Sequence, residues 1–268
     1  MSRVVQVPSI QLASDRFGAI PTDDQLIALG YRRWSVIDGR GQSQSMGWLR
    51  PDLAALLPAV PWPIAALSEF VETLRQTSAA DGWRNECFTL CNEAGEPIED
   101  RHGQTVGLER CLFRPLGLFY QTVQLNLLTS QGQVWIGQRA QHKAVDPGLW
   151  DAAVAGGLTH GENPLAALAR ESWEEAGLPE SLLTGLQTLG SVMVQRTLGC
   201  DGRQGLQREL VMSHGLQTPL DFTPMNQDGE VQAFACVTFD EVWRLWQQGQ
   251  FNHEAAVGCL DFLMPQPG

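Results

Sequence analysis

Glu171, Glu174 and Glu175 lie within five residues of one another, directly after Arg170. Carboxylates one, three and four positions apart meet on adjacent turns if the segment is helical. Oxygen donors gathered in this way suit hard divalent cations such as Mg²⁺ or Mn²⁺. Local signals require the helix: Asn163 is a good N-cap, Pro164 suits the first helical position, and Gly177 fits a left-handed residue after the end, which predicts a helix over 164–176. At about 100° per residue the three glutamates share a sector of roughly 100°, while Leu165, Ala169, Ser172, Trp173 and Ala176 fall opposite and are expected to pack. Like charges at i,i+4, as in Glu171 and Glu175, destabilise a helix by a few tenths of a kcal/mol, partly offset by Arg170 near Glu174. A solvated acidic face is the plain alternative, and a bound cation is the reading that explains why the repulsion is kept.

The rest of the chain must position this cluster. Its 268 residues exceed the usual length of one domain, and we expect two units. A formal charge of -12 excludes tracking along a nucleic-acid backbone, which requires clustered cations. The partner expected instead is a small phosphorylated molecule held with the help of metal. No apolar run approaches the ~18 residues of a membrane span. The opening Met1–Leu12 resembles neither a secretory signal nor a transit peptide, so the expected setting is cytoplasmic, away from any membrane. Cys87, Cys91, Cys111, Cys200, Cys236 and Cys259 lack paired metal-site spacing and read as free thiols. These patterns carry no signal of oligomeric state.

Residues 1–110 read as a small α+β unit and 111–268 as the unit that carries the cluster. In the first, helices are expected at Asp23–Leu29, Asp52–Leu57 and Ile64–Thr77, and strands at Arg32–Ile37, Gln44–Trp48 and Cys87–Cys91. In the second, Leu116–Leu128 and Gln133–Arg139 read as a hairpin around Ser-Gln-Gly, and the tail from Pro265 as loose.

Between Gly156 and Leu178 the spacing resembles the Nudix box, Gly-x5-Glu-x7-Arg-Glu-U-x-Glu-Glu-x-Gly-U with U a bulky aliphatic. It is met by Gly156, Glu162, Arg170, Glu171, Glu174, Glu175, Gly177 and Leu178. One position departs: Ser172 stands where the family has an aliphatic residue, pointing to the core. The resemblance implies an α/β Nudix fold, a mixed sheet sandwiched by helices, preceded by the small α+β unit. It further implies metal-dependent cleavage of a diphosphate linkage, with Glu171, Glu174 and Glu175 and the Gly156 carbonyl as metal ligands. Arg170 would orient the carboxylates and Glu162 pin the loop to the helix. The general base comes from the box or from a later loop, where Glu230 is the candidate and an ordinary acid of the Asp228-Gly229 turn is the alternative.

Trp83-Arg-Asn-Glu86, Trp135-Ile-Gly-Gln-Arg139, Lys143, Trp150–Gly157 and Asp228-Gly-Glu-Val231, in that order, are similar to a subgroup related to the Nudix portion of fungal thiamine pyrophosphokinase. That resemblance implies thiamine diphosphate and its oxo and oxy analogues as substrates, cleaved to the monophosphate and phosphate. Arg139 and Lys143 are then candidate diphosphate binders, and Trp83 or Trp150 a candidate ring-stacking surface. His142 and His160 have no partner spacing and receive no role. A nucleoside diphosphate derivative such as ADP-ribose is the alternative substrate. The alternative fates of the fold are a non-catalytic binding module and an isopentenyl diphosphate isomerase, the latter disfavoured because no cysteine lies near the box.

Overall fold

The computed structural model describes residues 11–12, 17, 19–54, 61–76, 80, 82–143, 145–198 and 205–264. Its first elements are β1 (Gln11–Leu12), α1 (Asp23–Ala28), β2 (Arg32–Ile37), β3 (Ser43–Leu49), α2 (Pro51–Ala54), β4 (Trp62–Pro63), α3 (Leu67–Gln76), β5 (Cys87–Thr89) and β6 (Gly107–Glu109). A reciprocal capping box starts α1, where the Thr22 hydroxyl accepts from Gln25 N and the Gln25 side chain accepts from Thr22 N. The helix expected over 64–77 is one 3₁₀ turn followed by α3. Leu57, Thr77, Cys200 and the tail from Pro265 lie outside the described residues. Trp34, Leu53, Phe70, Leu74, Phe88, Leu90, Leu112, Phe113 and Tyr120 share one buried core, which takes residues from both sides of position 110.

The later elements are β7 (Phe119–Leu128), β8 (Val134–Arg139), β9 (Trp150–Ala152), β10 (Val154–Gly157), α4 (Pro164–Ala176), β11 (Gln187–Leu198), β12 (Gly205–Gln217), β13 (Val231–Val237), α5 (Phe239–Gln247) and α6 (His253–Leu263). A mixed eight-stranded sheet runs β1-β11-β12-β7-β8-β13, with β10 on β7 and β9 on β8. β7 lies parallel to β12, and only Leu128↔Val134 joins it to β8, whose ladder is mainly with β13. The expected hairpin is thus a splayed pair. β7 also starts three residues later than expected, because Gly117 turns the chain at φ 58° against the Trp48 carbonyl.

Alternation along β7 divides the sheet's faces. Val123, Leu125 and Leu127 pack under α4 with Ala167, Leu168 and Ala176, while Val134, Ile136, Val192, Val194 and Val211 pack against α5 and α6 through Val242, Leu245, Ala256 and Leu260. This is the expected sandwich. No helix among the described residues is long and apolar enough to cross a membrane.

α4 spans Pro164–Ala176 as expected, with Asn163 accepting from Ala166 N and Gly177 closing it at φ 63°. Its orientation differs from the simple amphipathic reading. Leu165 and Trp173, expected on the packed side, are 61% and 52% exposed, whereas Leu168, Ser172, Glu175 and Ala176 are buried. The covered stripe is therefore turned by roughly 80° toward the acids. The cause is polar: Glu175 accepts from Ala155 N at 2.8 Å, and Glu171 lies against the Gly156 backbone, so both carboxylates are drawn toward the sheet.

Candidate functional site

Arg170 organises the loop and helix. Its Nε and Nη2 donate to the two oxygens of Glu162 at 2.9 and 3.0 Å, its Nη1 to Glu171 at 2.7 Å and Glu174 at 3.2 Å, and Nη2 also reaches the Gly157 carbonyl at 3.3 Å. Glu162 in turn accepts from the Thr159 amide and hydroxyl, both at 3.0 Å. Burial alone pushes the Glu162 carboxyl up, but the Arg170 and Thr159 hydrogen bonds outweigh it and hold the group below its usual range. Gly156 is required at the contact with the helix: a Cβ there would lie 1.8 Å from Glu171 Oε1.

Burial raises Glu171 to about 7 against the pull of Arg170, with the Glu174 charge adding to the rise and the Arg110 charge opposing it. Glu175 goes well above the usual range through burial and the neighbouring Glu171 charge. Two buried carboxylates thus face each other with too little positive charge, which is the electrostatic condition a hard cation relieves. No three His, Cys, Asp or Glu side chains among the described residues converge on one ion position. Glu175 is instead turned to Ala155 N, while Glu171 and Glu174 are turned to Arg170. The oxygen-only donor set nevertheless fits Mg²⁺ or Mn²⁺.

Beside this face opens a cavity of about 240 Å³, lined by Gly156, Gly157, Arg139, Lys143 and Asp151. Arg139 is held in place there, donating to Asp151 at 2.9 Å and to the Val145 carbonyl at 3.0 and 3.1 Å. Burial raises Asp151 to about 6 despite Arg139. Lys143 pairs with Glu230, and burial together with the Arg139 charge pushes its ammonium down. Glu230 is indeed a turn acid, its amide donating to Asp228 at 2.8 Å, and it also lines a small crevice shared with Glu175 and Arg139.

Neither Trp83 nor Trp150 lines the cavity. Trp83 donates to the Ala80 carbonyl beneath Arg75, and Trp150 packs against the core under α5 and α6. The rings that do line it are Phe88, Phe113 and Tyr120. His160 lies beside the Thr89 hydroxyl at 3.3 Å. Cys87, Cys91, Cys111, Cys236 and Cys259 are free thiols, as expected.

The floor consists of residues that sequence patterns did not single out. Glu209 accepts from Tyr120 at 2.7 Å, Thr122 at 2.8 Å and Gln207 at 2.6 Å. Glu254 pairs with Arg196 at 3.0 Å and Arg114 at 3.5 Å, and although burial opposes it, these two cations bring its carboxyl down to about 2. β12 is buried almost throughout, so no alternation in its sequence marks Glu209.

A mixed sheet between helices, with an arginine-organised acid helix packed on one face, defines the class: a Nudix domain. The NUDIX domain model matches residues 121–256, just over half of the chain, and the chain belongs to the Nudix family. Over 202 residues, 74% of this chain, it is 29% identical to the chloroplastic Nudix hydrolase 20 of Arabidopsis thaliana. It is 28% identical over the same length to the chloroplastic Nudix hydrolase 24 of that species. The matches cover 51% and 53% of those proteins, so the chain spans about half the length of these curated relatives. Among solved structures it is similar to DR0079 of Deinococcus radiodurans, with a TM-score of 0.48, 21% identity and coverage of 65% of this chain and 97% of that one.

Proposed function

We propose that the protein hydrolyses a diphosphate linkage with a divalent metal, and that its substrates are thiamine diphosphate and its oxo and oxy analogues, released as monophosphate and phosphate. In this reading residues 1–110 form the accessory unit and 111–268 the hydrolase domain. The observation that carries the reaction is the Gly156–Glu162–Arg170–Glu171–Glu174–Glu175 assembly bordering a cavity with cationic walls. Glu171, Glu174, Glu175 and the Gly156 carbonyl would hold Mg²⁺ or Mn²⁺. When bound, the cation polarises a phosphoryl oxygen and supplies positive charge against the leaving phosphate. Arg170 keeps Glu171 and Glu174 oriented. Glu230, steadied by Lys143 and its own turn, takes the proton of the attacking water. Arg139 and Lys143 form the cationic wall that faces the diphosphate.

Two features support a compact organic group. At about 240 Å³ the cavity is small for a ligand site, and it joins the Phe88, Phe113 and Tyr120 rings to the polar Glu209 floor, a surface for one aromatic heterocycle with hydrogen-bonding groups. Metal-dependent phosphate release should be compared for thiamine diphosphate, its oxo analogue and ADP-ribose. Faster turnover of the thiamine compounds is expected, and faster turnover of ADP-ribose overturns the substrate assignment.

A further inference from the structure

The first unit meets the second at the metal-side loop. Phe88 in β5 bridges Thr159, and the His160 amide donates to the Cys87 carbonyl at 2.7 Å. The Phe88 ring fills the space over Gly157, where a Cβ would come within 2.2 Å of its Cζ. Over that ring, 5.4 Å from its centroid, sits the guanidinium of Arg110. A stack of Gly157, Phe88 and Arg110 therefore sets the distance between a cation of the first unit and the loop that carries Gly156.

Arg110 is fixed from its outer side. Its amide donates to the Glu86 carbonyl at 2.8 Å, and its Nη1 donates to both Glu86 carboxylate oxygens at 3.0 and 3.1 Å. Its Nε and Nη2 make no hydrogen bond to the described residues. Arg84 is placed through its backbone, which donates to the buried Glu109 at 2.8 Å, and Asn85 turns the chain at φ 58°, a conformation asparagine tolerates well. The Arg84 guanidinium comes no closer than 3.8 Å to Glu230, too far for a hydrogen bond. Both side chains line the cavity with Gly156 and Gly157. Within the Nudix domain, by contrast, Arg139 is engaged by Asp151 and Val145 and Lys143 by Glu230. Arg84 and Arg110 thus bring open planar donors to the cavity from outside the family match, beside Arg114, whose guanidinium is turned to the buried Glu254 at 3.5 Å. Guanidinium groups suit the paired oxygens of phosphates.

We propose that Arg84 and Arg110 bind the diphosphate of the substrate, so that the N-terminal unit completes the anion site of the Nudix domain. This rests on the reading of the cavity as a diphosphate site, and it adds a binding role for a unit outside the family match.

The test is calorimetric titration of full-length protein with inorganic pyrophosphate in Mg²⁺, using wild type, Arg84→Gln, Arg110→Gln, the double variant, Arg110→Lys, and Arg101→Gln on an exposed turn of the same unit as control. Each single Gln variant is expected to weaken binding about tenfold, the loss of one or two charge-assisted hydrogen bonds, and the double variant more. Arg110→Lys should recover part of the loss, and Arg101→Gln should leave affinity unchanged. Because the Arg84 guanidinium makes no hydrogen bond to the described residues, Arg84→Gln separates binding from folding, and melting curves check the others. Wild-type protein that does not bind pyrophosphate, or a folded double variant that binds it as tightly as wild type, overturns the proposal. Arginine-dependent binding without turnover of any diphosphate leaves the proposal standing and removes the hydrolase reading. Full turnover and unchanged affinity in the double variant removes the proposal alone.

Discussion

The acid face of α4 and Glu254 at the floor of the cavity are buried carboxylates that burial pushes up, yet they end on opposite sides of the usual range, while Glu209, the other floor acid, is raised by burial as the α4 acids are. Glu171 is raised to about 7 and Glu175 beyond the usual range, while Glu254 is brought down to about 2. At the floor, Arg114 and Arg196 neutralise Glu254 within the fold. On α4, Arg170 is divided among Glu162, Glu171 and Glu174, and among the described residues Glu175 has only the Ala155 amide as hydrogen-bond donor. One cluster carries its own cations and serves stability. The other is short of positive charge and is suited to receive it from solution.

The largest effect expected from that contrast is at the floor. The double variant Arg114→Met/Arg196→Met should destabilise the protein by about 3–5 kcal/mol by leaving Glu254 buried without either cation. A denaturant midpoint shifted no more than by loss of an exposed ion pair would show that the floor is not an internally neutralised cluster. On α4 the same kind of charge removal should spare stability and remove function. Glu174→Gln is expected to lower metal-dependent turnover on the order of 10²- to 10³-fold with an unchanged melting midpoint; unchanged turnover refutes the site.

Acid titration sharpens the comparison. Because Glu254 lies at about 2 when folded against 4.5 when free, its contribution is complete above pH 4.5 and is lost as pH falls from 4.5 toward 2. Stability measured across that window should fall more steeply for wild type than for Glu254→Gln, and parallel curves would exclude the pairing. The smallest effect concerns Ser172, fully buried on α4 with its hydroxyl unpartnered among the described residues. Ser172→Ala should stabilise by about 1 kcal/mol by removing an unsatisfied group, with turnover unchanged; a loss of stability would mean that the hydroxyl has a partner.

What sequence could reveal was local. The bounds of α4, its Asn163 cap and the left-handed Gly177 follow from short-range preferences, and the Glu162–Arg170 link from spacing within one loop and helix. The rotation of α4 was hidden because amphipathic reasoning assigns apolar side chains to the core and acids to solvent. Here the hydrogen bond to Ala155 N and the bare backbone of Gly156 bring acids inward. The cavity floor and the Arg84–Arg110 lip were hidden for a different reason. They join residues distant in sequence, and the type of a residue such as Glu209 or Arg110 does not encode the partner that a strand register supplies.

The parallel pairing of β7 with β12 also orders events during synthesis. Tyr120 and Glu209 meet across 89 residues, so the floor closes only after β12 has emerged and the intervening chain has been looped out. A nascent chain that has just released α4 already carries its acid helix, but β7 still shows the edge that β12 will cover. Until that late closure, the same edge is open to mispairing with other strands, which makes the step that completes the pocket also the one most exposed to aggregation.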